Sequence, residues 1–250
     1  MTTTVHFCHG LESGPFGFKV RKLSESFTVS SPDMQMSLWN PLRSNSVARN
    51  ILRLRTPAEA IADSFEACVE VQRQALHSSP APIDADICVE NVVAKRRLPM
   101  LRPTWPESPG LAGHRGLSLS TQVLVGSSWG GAVAASLLSA GSWRGCCVLM
   151  CPALRLRERW TGEPSARPHL TSDAISAGLA ALPAAVKAQC LIVHGTTDNT
   201  VPIDDSRALA AATGIALLEV EGGDHGLGEY VTSGGLEASI VRLLSTRTAR

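Results

Sequence analysis

Residues 121–135, TQVLVGSSWGGAVAA, constrain this chain more than any other stretch. The apolar run Val123-Leu124-Val125 passes through Gly126-Ser127-Ser128-Trp129-Gly130 into the small residues Gly131-Ala132-Val133-Ala134-Ala135, so a strand must give way to a helix within a few residues. In such a turn the central residue, Ser128, is pushed above the sheet edge with its hydroxyl exposed, while Gly126 and Gly130, two residues to either side, let strand and helix approach closely. The bare pattern Gly-x-Ser-x-Gly carries little weight in a chain with 21 glycines. Its placement between a strand and a helix is what predicts a nucleophile elbow. The competing expectation is a glycine-rich turn holding a buried, hydrogen-bonded serine.

The rest of the chain alternates in period. Val5-His6-Phe7-Cys8 is a short strand leading to His9-Gly10-Leu11, a turn-rich loop at 12–17, and a helix expected over 18–26; Phe27-Thr28-Val29-Ser30 supplies the next strand. Residues 34–50 have no clear period. Thr56-Pro57-Ala58-Glu59 is a capping box with proline at the first helical position, and Ile61, Phe65, Cys68, Val69 and Leu76 recur at helical spacing as far as His77. After the elbow helix, 146–151 is a continuous apolar run ending at Pro152, as in a strand buried on both faces. Residues 154–171, with three arginines between 155 and 159, Trp160, Pro164 and Pro168, are expected as loop that could overhang the elbow. A helix interrupted by Pro183 is expected over 172–187, a strand over 190–193, a helix over 204–213, a strand over 216–220 and a last amphipathic helix carrying Leu236, Ile240, Leu243 and Leu244. Strands alternating with helices predict an α/β fold: a parallel sheet covered on both faces, a three-layer sandwich with ligands at the carboxyl ends of the strands.

Residues 78–120 break the rhythm. Only 87–93 has strand character, and the stretch holds several prolines, Trp105 and the basic cluster Lys95-Arg96-Arg97. We expect an irregular surface insertion within a single domain spanning 1–250, replaceable by a short linker, with the basic cluster either solvated or contacting a phosphate or coenzyme A.

A chain of 250 residues can bury one sizeable core without metal or disulfides. Its formal charge of +1 provides no global field toward nucleic acid or an anionic membrane. The seven cysteines are odd in number and lack metal-ligand spacing; most lie in apolar runs, as buried thiols of a reducing compartment would. The amino terminus has no secretory pattern and no run reaches membrane-spanning length, so the expectation is a cytoplasmic protein with no metal, no cofactor, no nucleic-acid partner and no membrane association; oligomeric state stays open.

A serine hydroxyl is a poor nucleophile until a base takes its proton, and the base needs a carboxylate to fix its tautomer. Ser128, Asp198 and His225 occur in the order nucleophile, acid, base, each after a strand. His9 and His194 also precede glycines at strand ends, and we expect them to orient or pack. Asp204 and Asp205 suit a helix start, and Asp224 is adjacent in sequence to the base, so Asp198 is the expected acid. The oxyanion would be held by the amides of Trp129 and of a first-loop residue, Leu11.

These segments resemble the small bacterial YqiA-type esterases of the α/β-hydrolase superfamily, through His9-Gly10-Leu11-Glu12-Ser13-Gly14-Pro15 with Lys19, Val125-Gly126-Ser127-Ser128-Trp129-Gly130-Gly131, Cys151-Pro152-Ala153 and Glu221-Gly222-Gly223-Asp224-His225. The run from His194 to Pro202 is more similar to the dienelactone hydrolase and carboxylesterase pattern, His-Gly-x-x-Asp-x-x-Val-Pro. The resemblance implies a compact serine esterase or thioesterase that needs no metal or cofactor. The insertion at 78–120 departs from it, as does a start directly at the oxyanion strand, which implies a sheet without the two opening strands of larger hydrolases. The leading expectation is cleavage of short-chain carboxylic esters through an acyl-enzyme on Ser128. An acyl-CoA thioesterase and a non-catalytic binding protein on the same fold are the alternatives.

Overall fold

The computed structural model describes residues 3–11, 13–34, 57–77 and 121–248. The Thr56 cap, the strand-like run at 87–93 and the basic cluster at 95–97 lie outside them.

Among the described residues, six strands form one sheet: β1 (Thr3–Cys8), β2 (Thr28–Ser30), β3 (Thr121–Ser127), β4 (Cys146–Met150), β5 (Cys190–Gly195) and β6 (Ala216–Val220). Their spatial order is β2-β1-β3-β4-β5-β6 and every pairing is parallel. The longer helices are α2 (Pro57–His77), α3 (Trp129–Ser139), α5 (Ser172–Ala180), α7 (Ile203–Thr213) and α9 (Gly235–Thr248), whereas α1 (Phe18–Leu23), α4 (Leu156–Thr161), α6 (Ala184–Lys187) and α8 (Gly228–Thr232) are short.

The period-2 pattern of the strands divides the core in two. Leu124, Cys147, Leu149, Cys190 and Ile192 face one layer with Phe65 of α2, Leu137 of α3, Ile175 of α5 and Leu209 of α7. Val5, Phe7, Val123, Val125, Val148 and Met150 face the other with Val20 and Leu23 of α1 and Leu236, Ile240 and Leu243 of α9. Burial on both faces is why β3 and β4 read as unbroken apolar runs. The six cysteines in the described residues are buried free thiols.

From β1 the chain turns to β2 on one side, then returns to β3 on the other. Connections leaving neighbouring strands in opposite directions open a crevice at their carboxyl ends, here between β1 and β3. The loop after Cys8 and the turn at Ser128 flank that crevice.

Two regions differ from the sequence expectation. The stretch 154–171 is not all loop: it contains α4 and a 3-10 turn, Pro168–Leu170. Leu156 and Arg157 point inward, and Arg157 lies over the Phe65 ring at 3.7 Å, so tertiary packing supports a helix that the nearby prolines obscured. A second helix, α8, follows the Asp224-His225 loop, where Leu227 takes a left-handed conformation and its N–H donates to Asp224 Oδ1 at 2.8 Å. In addition, α1 ends at Leu23 rather than 26, and β5 continues two residues further, to Gly195.

Candidate active site

Ser128 has φ 58° and ψ −118°, a conformation that costs a non-glycine residue about 1–3 kcal/mol. Its own backbone bonds offset that cost. Its N–H donates to Met150 O at 2.8 Å, and its carbonyl accepts from Ala132 N at 3.1 Å and Ala153 N at 3.0 Å, tying the turn to both α3 and the loop after β4. The flanking glycines are sterically required: a Cβ on Gly126 would strike the Gly130 carbonyl oxygen, and one on Gly130 would strike that of Cys8. Strand, turn and helix thus meet with backbone against backbone.

His225 Nε2 stands 2.9 Å from Ser128 Oγ, and His225 Nδ1 stands 2.7 Å from Asp198 Oδ2. With Nδ1–H donating to the carboxylate, Nε2 is left to accept the serine proton. The Asp198 side chain is fully buried and its other oxygen, Oδ1, accepts from Thr200 N at 2.8 Å and Val201 N at 2.9 Å. Burial is the largest single influence on this carboxyl and opposes its charge, but the hydrogen bonds from His194, His225 and the two amides together outweigh it. They hold the group well below the usual carboxylate range. Asp198 therefore faces His225 as an anion.

His194 is a partner that sequence reasoning did not assign to Asp198. Its Nε2 lies 3.1 Å from Asp198 Oδ2 and 2.9 Å from Val201 O, both acceptors, while Nδ1 lies 2.7 Å from the Ser206 hydroxyl. Nε2 must carry the proton, and Ser206 O–H then donates to Nδ1. The i,i+4 spacing of His194 and Asp198 at the end of a strand was the available signal. His9 has both ring nitrogens engaged by the backbone: it is buried, with Nδ1 3.0 Å from Gly10 O, and Nε2 accepts the Met34 amide at 2.9 Å.

The other acids lie elsewhere. Asp205 pairs with Arg159 and Asp204 with Arg207, both on the first turn of α7. Asp224 accepts the Leu227 amide.

Gly10 packs directly on the elbow, leaving a would-be Cβ 3.3 Å from Ser127 O and 3.4 Å from Ser128 Cβ. Leu11, the next residue, lines the same cleft as Ser128. Trp129 is the first residue of α3, so its N–H has no intrahelical acceptor. Its indole points away from that cleft: it is fully buried, edge-on to Phe65 at 5.3 Å and stacked on Trp160 at 6.2 Å. Nor does α4 roof the cleft, whose described walls come from Phe7, Gly10, Leu11, Ser13, Gly14, residues 17–20, Ser127, Ser128, His225 and Gly226.

Cys151 Sγ, His194 and Asp198 bring possible ligand atoms within 4.8 Å of one another. Cys151 has a left-handed backbone, φ 42°, and burial pushes its thiol up to about 12. A protonated thiol, a histidine whose Nε2–H faces acceptors and a carboxylate already accepting four donors make a hydrogen-bonded cluster, not a ready ligand set.

Comparison with known proteins places this architecture. No family model matches the chain and no curated protein matches it. Solved structures do. A protein of Xanthomonas campestris pv. campestris assigned to the alpha/beta hydrolase superfamily is similar at TM-score 0.51 and 22% identity, over 98% of this chain and 99% of its own. TT1662 of Thermus thermophilus reaches TM-score 0.56 at 16% identity, covering 97% of this chain and 89% of that one. An alpha-beta serine hydrolase homologue from Coxiella burnetii reaches 0.51 at 13%, covering 97% and 86%. The chain has the α/β-hydrolase fold. Among its described residues, no helix is long and apolar enough to cross a membrane.

Proposed function

We propose that the chain is a serine hydrolase that cleaves carboxylic esters through an acyl-enzyme on Ser128. The observation that carries this reading is the position of His225, within hydrogen-bond distance of both Ser128 Oγ at 2.9 Å and Asp198 Oδ2 at 2.7 Å. In the first half-reaction Ser128 Oγ attacks the ester carbonyl carbon while its proton passes to His225 Nε2. Asp198 stabilises the resulting imidazolium. The carbonyl oxygen, now negative, is received by the amides of Leu11 and Trp129, each donor of this kind contributing on the order of a hundredfold in rate. Collapse expels the alkoxide, which takes the proton from His225; water then attacks the acyl-enzyme by the same route and restores Ser128.

The cleft beside Ser128 has a volume of about 220 Å³, below the roughly 300–1,000 Å³ of common small-molecule sites, which supports a short acyl group. The support comes from the cleft walls and not from the Trp129 ring, which is withdrawn from them. The thioesterase alternative drew on Lys95-Arg96-Arg97, outside the described residues, and no described feature favours it over an ester.

The test is turnover of 4-nitrophenyl butyrate by wild type and Ser128→Ala. Wild type should hydrolyse the ester, and the variant should fall to the uncatalysed rate while keeping the wild-type unfolding transition, because only one hydroxyl is lost. A variant with full activity would refute the assignment.

A further inference from the structure

The cleft that holds Ser128 and His225 also holds a charge that the proposed ester cleavage does not use. Its described lining comprises Phe7, Gly10, Leu11, Ser13, Gly14, Gly17, Phe18, Lys19, Val20, Ser127, Ser128, His225 and Gly226, a set with one formal cation, Lys19, and no acid. Lys19 lies in the first turn of α1 and its side chain is half-buried beside Val20, which anchors the helix in the core. It makes no ion pair or hydrogen bond among the described residues.

Two groups approach Lys19 closely enough to influence its charge, Cys151 and Asp224. Neither is in direct contact with its ammonium among the described residues. Cys151 is a protonated thiol, and Asp224, whose Oδ1 accepts the Leu227 amide at 2.8 Å, attracts the charge only from a distance, without a hydrogen bond or ion pair. Ser13, the other flexible polar side chain on this wall, donates its hydroxyl to Gly10 O at 3.0 Å. Burial is the largest influence on Lys19 and lowers its pKa, outweighing the attraction of Asp224, so the ammonium is held here at a cost. An anion brought into the cleft would relieve that penalty and gain a charge-assisted hydrogen bond. Phe18, the residue before it, is 42% exposed on the same wall and offers an apolar surface beside the cation.

We propose that Lys19 is a specificity-determining residue that selects esters carrying a carboxylate, whose anionic group it receives while the ester carbonyl lies at Ser128. This rests on the ester-hydrolase reading above and narrows its substrate class.

The test compares matched pairs of esters. On the acyl side, monoethyl succinate is compared with ethyl butyrate; on the alcohol side, 3-acetoxybenzoate is compared with phenyl acetate. Wild type should prefer the anionic member of at least one pair by about tenfold or more in kcat/KM, chiefly through KM. The pair that shows the preference identifies the side of the ester on which the carboxylate sits. Lys19→Met should abolish that preference, Lys19→Arg should keep most of it, and Lys19→Glu should reverse it. A purely structural lysine would lower both members of a pair together and leave the ratio unchanged. That result overturns the proposal, as does a wild type without preference in either pair. A neutral fluorophosphonate separates the two levels of inference: wild type that labels at Ser128 but shows no preference loses only the Lys19 assignment, whereas wild type that neither labels nor hydrolyses any of the esters loses the hydrolase reading and this proposal with it.

Discussion

Two clefts of similar size open among the described residues, and only one has the makings of a reaction site. The first, about 220 Å³, lies against the elbow and is lined by Ser128, His225 and Lys19. The second, about 260 Å³, lies between the loop after β4, α5 and α7, and is lined by Arg155, Asp173, Ser176 and Asp205 among others. Its charges answer one another: Arg155 approaches Asp173 at 3.7 Å, and Asp205 holds Arg159. The elbow cleft instead contains a serine in a strained conformation, a histidine with a lone pair directed at it and an ammonium that makes no hydrogen bond or ion pair among the described residues. Volume does not distinguish the two. What does is whether the polar groups are already satisfied by the protein or left facing the space a ligand would fill.

The sharpest way to break this contrast is to remove one carboxylate from each side. Asp198→Asn should lower kcat by about 10³- to 10⁴-fold, because an amide can neither fix the His225 tautomer nor stabilise its cation. Asp205→Asn, in the second cleft, should leave kcat within about twofold. Comparable losses from the two substitutions, measured on one aryl ester, would show that the clefts are not functionally distinct.

A smaller effect is expected one residue further from the chemistry. His194 donates to Asp198 and touches neither Ser128 nor His225 among its hydrogen bonds. His194→Gln should reduce kcat by about tenfold, the order expected for losing one hydrogen bond to a charged group, with little change in KM. If activity were unchanged, the two amides and His225 would suffice to hold the carboxylate, and His194 would belong only to the packing of β5 on α7.

Chain length sharpens the picture of the first cleft. Each buried methylene contributes roughly 0.8 kcal/mol, so an open apolar tunnel would make kcat/KM climb several-fold per two carbons. A cleft of about 220 Å³ predicts that acetyl to butyryl aryl esters are the best substrates, with a fall beyond about six carbons. Rates still rising at decanoyl would require an apolar wall beyond the described lining.

The smallest effect belongs to the second cleft. Arg155 and Asp173 are both well exposed, so Arg155→Ala should change ester turnover by less than twofold and stability by no more than about 0.5 kcal/mol, as judged by denaturant midpoint. A large loss of activity would mean that substrate reaches this side of the molecule.

The elbow was legible because everything it needs is local: an apolar strand, two glycines and a small-residue helix within fifteen positions. The meeting of His225 and Asp198 beside Ser128 was legible from order and from their places after strands, since a parallel sheet gathers strand ends whatever their separation in sequence. Other features depend on contacts that no local pattern encodes. Helix α4 sits among prolines and glycines but is held by Arg157 over Phe65, about ninety positions away in the chain. The direction of the Trp129 ring is set by its packing between Phe65 and Trp160, both far from it in sequence. The role of His194 depends on Ser206 and Val201, which become its neighbours only once β5 turns into α7. Lys19 stood out in sequence through its resemblance to a family motif, and its place in the wall of the elbow cleft became visible only with the structure.

The most direct measurement of the central claim is covalent labelling of the native protein with a neutral fluorophosphonate, followed by intact-mass and peptide analysis. The account predicts a single adduct at Ser128, lost in Ser128→Ala and slowed by orders of magnitude in His225→Ala, because the probe reacts only with a serine whose proton has an acceptor. Absence of an adduct on folded wild-type protein, or an adduct on another residue that persists in Ser128→Ala, would contradict it.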